Sequence, residues 1–462
     1  MNRFPGSDTA SRVLEHAVSR GAGLAELFLE STTRRSVLCE EGHIEKVSGG
    51  IDHGFGLRLI FEDRTVYGYS SVVTGDEMMR LAGELAAELD GGGGRFTPPG
   101  DIEVGSMNDV EVPAGSIGLE DKAALVLAAD RAAREAGGAV TQVSVSYGES
   151  SRRIRVYASD GTAAGDDGDQ ILLGVRAVAS SGPELQTAWR SAGGRRGYEL
   201  LEEDRVRELA FAAGESAAKI AAAPRAPGGT MTVVLAGRAG GTMVHEAIGH
   251  GLEGDAVMKD LSVYSGRVGE KVASELVTIV DDGSIRGCRG SYSCDDEGTP
   301  SGRTVLVDRG VLRGWLLDRR SAARMGLPLT GNGRREDFRH RPIVRMSNTM
   351  IMPGGHDPEE IVSGVARGLY VVRMGGGQVD PTSGDFVFRV SEAYLIEDGK
   401  VAEPVRGATL IGNGPEVLGR IDRVGSDQGF DIGTCGKDGQ HVPVSDGQPT
   451  LRIPSITVGG EV

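Results

Sequence analysis

Two histidines five residues apart, His245 and His250 in the string HEAIGH, restrict the local fold of this 462-residue chain more than any other feature. On a regular α-helix a four-residue step leaves two side chains about 40° apart, within reach of one metal ion. A five-residue step carries the second one about 140° away. If both rings serve one ion, the helix must widen into a π-type turn or break, and Gly249, just before the second histidine, lowers the steric cost of that distortion. Taken alone, the string reads as ordinary polar residues on an Ala/Gly-rich helix. Its surroundings read as a rigid mount: TMTVVL (230–235) as a strand, AGRAGG as a tight loop, Thr242 as a helix N-cap and GLEGD as the helix end.

A hydrolytic zinc site wants three protein ligands and one open position. The two imidazoles leave one ligand to find. By chemistry alone Cys435, Cys288, Cys294, His340, His441, Glu253 and Asp255 are all candidates. Glu246, next to His245, is placed to take a proton from a metal-activated water without itself binding the ion. Arg334, Arg335, Arg339, His340, Arg341 and Arg345 concentrate cationic donors beside Glu336 and Asp337. Most are expected to be paired or solvated, with His340 the candidate to stabilise an oxyanion. Gly375, Gly376 and Gly377 mark either a close approach of a peptide backbone or a tight turn.

The string HEAIGHGLEGD resembles the signature of the TldD/PmbA family of metallopeptidases, on its motif-bearing TldD side. The resemblance continues in GNGRREDFRHRPIVRMSNT (331–349), GGGQVDPTSGDFVF (375–388), GATLIGNGPEVL (407–418) and GTCGKDGQHVPVSDGQPTLRI (433–453). Together these blocks cover most of the C-terminal half, and EEGHIEKVSGGIDHGFGLRLI (40–60) extends the likeness more loosely toward the start. AGRAGG departs from the family's bulkier lead-in. The resemblance implies that Cys435 joins His245 and His250 around one zinc ion, with Gly433 and Gly436 letting the backbone deliver the thiolate. It also implies an ATP-independent peptidase acting on short or unfolded peptides with broad specificity. Its expected partner is a second copy of itself, as a homodimer, or a motif-lacking PmbA/TldE-like relative, as a heterodimer.

Composition narrows the classes further. A formal charge of -16 argues against a phosphate-binding surface, so no nucleic-acid partner is expected. No GxxxxGK[ST] loop is present, in keeping with ATP independence. The 72 glycines follow no G-X-Y period and read as many turns. Four scattered cysteines make no disulfide framework, no stretch approaches the roughly 18 apolar residues a membrane span needs, and the start lacks an apolar leader. A cytoplasmic protein with no membrane association is the expectation.

Along the chain, Val13, Leu14, Ala17 and Val18 make a helical stripe after the capping candidates Ser7 to Thr9, with strand-like segments at 27–38, 56–61 and 64–70 behind it. A second helix carries Met78, Leu81, Leu85 and Leu89 and is closed by Gly91 to Gly94; RFTPPG (95–100) reads as a linker. The order recurs as a helix over 119–136, strands near 140–147, 152–158 and 171–180, and a helix through Val206, Leu209, Ala213, Ala217 and Ile220. This suggests an internal duplication. APRAPGGT (223–230) marks a boundary, after which strands dominate, with hairpin tips at Arg309 and Gly310 and at Asp398 and Gly399 and a short helix over 358–366. The expected fold class is α+β: an N-terminal two-layer α/β domain (1–224), then a mostly antiparallel β domain (225–462) that carries the metal-site helix. Two rival functions share these features: a non-catalytic binding subunit with a structural metal, and a metal-dependent amidase acting on a small peptide-like molecule.

Overall fold

The computed structural model describes residues 4–62, 64–89 and 93–460. In the N-terminal half, helix α1 (Ser7–Ser19), strands β1 (Leu24–Glu40), β2 (His43–Phe61) and β3 (Arg64–Ser70) and helix α2 (Gly75–Ala87) form one run. After the short strand β4 (Glu103–Gly105), the same order returns as α3 (Leu119–Glu135), β5 (Val140–Ala158), β6 (Ala163–Ser181), β7 (Glu184–Gly194) and α4 (Glu203–Ala222). The two runs join through their first strands, because β1 pairs antiparallel with β5, and the sheet runs β3-β2-β1-β5-β6-β4 with β7 also on β6.

Alternation along β1 explains the layering. Leu27, Leu29, Val37 and Cys39 face one side, where the first two pack with α1 and α2 residues such as Leu14 and Met78 and the last two with α3 and α4 residues such as Val126 and Ala213. Phe28 points the other way and meets Ile154, Val156 and Phe338, the last from the C-terminal half. One face of the sheet therefore carries all four helices and the other rests on the rest of the molecule.

The strands are longer than apolar alternation alone suggests. β2 runs unbroken from His43, although its first eight residues are largely exposed, because all of them but Glu45, passed over at a bulge, pair with β1 through to Gly50 opposite Arg34. β7, with the polar sequence ELQTAWRSAGG, pairs with β6 along its length. α1 is preceded by Gly6, not by a Ser or Thr cap; Ser7 to Thr9 already belong to the helix. Gly91 and Gly92 of the expected α2 stop lie outside the described residues.

The C-terminal half is mostly antiparallel and holds two large sheets besides the small pair of Gly333–Arg334 with Ile343–Val344. One has six strands and ends in the hairpin of Gln440–Gln448 and Gly429–Lys437, the second of these being an edge strand. In the other, β8 (Gly229–Leu235) pairs with Arg367–Val379 and Leu451–Gly459, and further pairing through Thr409–Asn413 and Asp385–Glu397 returns to Arg367–Val379, closing a ring of five strands. Arg309 and Gly310 (φ 48° and 81°) and Asp398 and Gly399 (φ 47° and 76°) occupy the left-handed turn positions expected at hairpin tips. Besides Pro358–Ser363, short helices at Arg319–Met325 and Gly414–Arg420 form that periodicity had not marked.

The two halves are joined by buried charge. Arg335 donates to Glu26 at 2.6 Å, Arg58 to the other oxygen of Glu26 at 2.5 Å, and Arg152 bridges Glu30 and Asp296 at 2.9 Å each. Phe338 packs against β2, where a side chain at Gly54 would come within 2.2 Å of its ring. Among the described residues no helix is long and apolar enough to cross a membrane.

Candidate metal centre

The motif segment leaves β8 through a tight turn at Gly237–Ala239 and becomes helical at Thr242–Val244, continuing as a π-helical turn over His245–Gly249 and a single tight turn over His250–Leu252. The widened turn is the solution that the five-residue spacing demands. Gly249 has ordinary helical angles (φ -54°, ψ -55°), so its role is not backbone freedom. Its smallness is required by packing: a Cβ there would lie 2.2 Å from the Met346 sulfur. Tyr264 donates to the Ala247 carbonyl inside the widened turn at 3.0 Å, satisfying a backbone acceptor there. Thr242 does not cap the helix. Gly241 takes that position, packed so closely on the hairpin that a Cβ would meet the Gly447 nitrogen at 2.4 Å, while Thr242 is free to line the site cavity.

Cys435 comes from the edge strand of the hairpin. Its sulfur lies 3.3 Å from His245 Nε2 and 3.6 Å from His250 Nε2, and one donor atom from each of the three residues falls within 4.8 Å of the others. Both rings present Nε2 because their Nδ1 atoms are held elsewhere. His245 Nδ1 bonds Asp446 at 2.8 Å, and His250 Nδ1 bonds Glu253 at 3.0 Å. Carboxylates in that position fix ring orientation and raise ligand basicity. Lys437 then holds Glu253 at 3.0 Å and Asp255 at 2.7 Å, and Arg345 donates to the Cys435 carbonyl at 2.5 Å.

Burial alone would push the Cys435 thiol up, but hydrogen bonds and charge from the two imidazoles outweigh it and hold the thiol at about 5, so the thiolate is the preferred form. Burial works against a charged His245, and Asp446 and Cys435 overcome it, raising the ring well above its ordinary value. Glu253 is held down at about 2: Lys437 and His250 outweigh its burial. Glu246 moves the other way, its carboxyl raised by burial against the partly opposing imidazoles. It lines the same cavity of about 680 Å³ as His245, His250 and Cys435. Two imidazole nitrogens and a thiolate, braced by carboxylates and converging on a cavity, are a donor set that suits zinc.

Of the other ligand candidates, Glu253 and Asp255 serve around the site and not within the three-residue cluster. Cys294 is buried beside Asp166 and Asp295, Cys288 lies outside the site cavity, and the His441 side chain is 65% exposed beside Glu336. His340 bonds Asp337 at 2.8 Å and does not line the cavity, which removes it as an oxyanion donor. Gly376 (φ 94°) and Gly377 do line it, within an irregular stretch of strand where a Cβ on Gly377 would strike the Phe388 ring. Asp446 and Lys437 escaped the sequence reading. The signal for Asp446 was a carboxylate in the same block as Cys435, visible only once one asks what holds the far nitrogen of each ring.

Comparison with known proteins points the same way. Residues 228–460 match the PmbA/TldA metallopeptidase C-terminal domain, 113–223 the central domain and 25–88 domain 1 of that family. A metalloprotease TldD homolog of Haemophilus influenzae is 38% identical over 98% of this chain and 96% of its own length. A zinc metalloprotease TldD homolog of Saccharolobus solfataricus is 26% identical, covering 98% and 100%. In fold, the chain is similar to the crystal structure of TldE from Thermococcus kodakarensis, with a TM-score of 0.77 at 19% identity over 98% of this chain and 100% of that one. The α+β architecture, the metal-site geometry and these matches together show that the chain belongs to the PmbA/TldD metallopeptidase family.

Proposed function

We propose that this chain is a zinc-dependent, ATP-independent peptidase that hydrolyses peptide bonds in short or unfolded peptides with broad specificity, with Glu246 as general base. The observation that carries the reading is the meeting of His245, His250 and Cys435 donor atoms within 4.8 Å, in a cavity that Glu246 also lines. Bound there, zinc supplies a Lewis acid that polarises the scissile carbonyl and lowers the pKa of a water toward neutrality. His245 and His250 would hold the ion through Nε2 and Cys435 through Sγ. Asp446 and Glu253 keep both rings turned toward it. Glu246 takes the proton of the attacking water on a carboxylate oxygen and returns it to the departing amine. Its raised affinity for a proton suits that exchange.

Two strand edges reach the cavity. The segment of Arg367–Val379 beyond Val371 has left its pairing with β8, and Gly433 to Lys437 lie on an edge strand. An extended peptide can pair with such edges through its main chain, which favours affinity over side-chain choice and supports broad specificity. A metal centre with three protein donors also favours hydrolysis over a structural ion, which takes four. A cavity of this size, flanked by strand edges, suits a peptide better than a small amide. A dimeric state, with a second copy or a motif-lacking TldE-like relative, and a cytoplasmic location belong to the same proposal.

The test is Glu246→Gln. The variant is expected to keep its zinc and lose peptide turnover by roughly two to four orders of magnitude; a metal-loaded variant that still cleaves peptides at the native rate removes Glu246 from the mechanism.

A further inference from the structure

A second chamber, of about 250 Å³, lies where the bare face of the N-terminal sheet meets the C-terminal half. Four carboxylates line it, and each is engaged. Asp166 pairs with Arg195 and Ser293, and Asp296 with Arg152 and the Arg335 amide. Asp295 accepts the amides of Glu297, Thr299 and Gly333, and Glu336 accepts that of His441. Besides the exposed Arg34, two guanidiniums lining the same chamber have no such partner: among the described residues neither Arg289 nor Arg334 forms an ion pair with a carboxylate.

Their hydrogen bonds go to neutral oxygens. Arg334, only 6% exposed, donates to the carbonyls of Met346 at 2.5 Å and Pro443 at 2.8 Å and lies over the Tyr292 ring at 5.0 Å. Arg289 donates to the Gly433 carbonyl at 3.2 Å, to Gln170 at 3.1 Å and to the Thr434 hydroxyl at 3.4 Å. Holding two like charges side by side in a largely enclosed chamber, one buried and one half-buried, with Asp296 and Asp281 near Arg334 but no carboxylate among the described residues in direct contact with either, leaves room for an anion that would pair with both. Arg34, Ser150, Gln170 and Arg289 also line an adjoining outer cavity of about 540 Å³, which gives the chamber an approach from the sheet face.

We propose that this chamber is a binding site for a small oxyanion, of phosphate or carboxylate type, held between Arg289 and Arg334 with Arg34 at its mouth. Planar guanidiniums match such oxygens with paired, charge-assisted hydrogen bonds. The same two arginines grip carbonyls of the hairpin that carries Cys435, so the anion couples its occupancy to the seating of that hairpin. The site is independent of the catalytic reading above.

The experiment is isothermal titration calorimetry of the full-length, zinc-loaded protein, once with inorganic phosphate and once with sodium acetate, sodium chloride holding the ionic strength constant. Saturable binding of either anion at one site per chain is expected, the stronger of the two identifying whether the natural source is a phosphate or a carboxylate. Arg289→Gln is expected to weaken it by roughly tenfold or more. No saturable heat with either anion overturns the proposal. So does unchanged affinity in a folded Arg289→Gln protein, the result that phosphate bound to zinc would give. Should Arg289→Gln fail to fold, Arg34→Gln decides by the same criterion, because Arg34 is exposed and its replacement leaves the packing intact.

Discussion

Asp446 does for His245 what Glu253 does for His250: each carboxylate takes Nδ1 and leaves Nε2 to face Cys435. Asp446→Ala is therefore expected to lower zinc affinity by about 10- to 100-fold, read by competition with a chromophoric chelator. An unchanged affinity means that packing alone orients the ring. At this scale the candidate ligands were legible because the five-residue spacing of His245 and His250 asks for a distorted helix and the family resemblance ranked Cys435 above six other candidates. The carboxylates behind them were not, since Asp446 lies 201 residues from the ring it holds and nothing in local spacing connects the two. His340 misled in another way. Arg335 and Arg339 pair, as expected of most of that cationic stretch, with Glu26 and Asp52 across the junction of the two halves, and His340, singled out as the exception, is engaged by Asp337 in the same way.

The π-turn over His245–Gly249 is an element that only its packing sustains. Met346 presses on Gly249, and Gly414 comes so close that a Cβ there would meet the Ala247 carbonyl at 2.3 Å. Gly249→Ala is predicted to destabilise the protein by about 1–3 kcal/mol through overpacking. Combining it with Met346→Ala should cost less than the sum of the two single changes. Additive losses in thermal unfolding would contradict the packing explanation. The five-residue spacing announced this element directly, as Arg309 and Gly310 announced a hairpin tip. Elements whose order comes from partners did not announce themselves: the exposed beginning of β2 and the polar β7 become strands because β1 and β6 supply their hydrogen bonds.

In the whole molecule, the bare face of the N-terminal sheet is closed by charge as much as by apolar packing. Glu26 sits between Arg58 and Arg335, fully buried, and these two guanidiniums hold its carboxyl below the ordinary range despite burial, which acts to raise it. Glu26→Gln takes from Arg335 its carboxylate partner and leaves Arg58 with Glu297 alone, and a loss of about 3 kcal/mol is expected at neutral pH, seen as a lower Tm. Because the folded pKa is depressed, the native advantage is complete above the unfolded value of about 4.3 and fades as pH falls through the folded one. The Tm gap between native and variant proteins should accordingly narrow in acid. A gap that stays constant from neutral pH down to about 2 would show that lost packing, not charge, is responsible. The helix-strands-helix order of both N-terminal runs was visible in sequence as a repeated pattern, but the buried ion pairs that seat the sheet on the C-terminal half join residues hundreds of positions apart and carry no local signature.

The claim on which the rest depends is that one zinc ion is held by an irregular helical turn and a distant strand together. Zinc K-edge X-ray absorption of the native protein reads the ligand atoms directly. One sulfur at about 2.3 Å, with nitrogen or oxygen neighbours at about 2.0–2.1 Å, is the predicted shell, and Cys435→Ser should remove the sulfur component alone. A native spectrum with no sulfur, or one that Cys435→Ser leaves unchanged, would contradict the account.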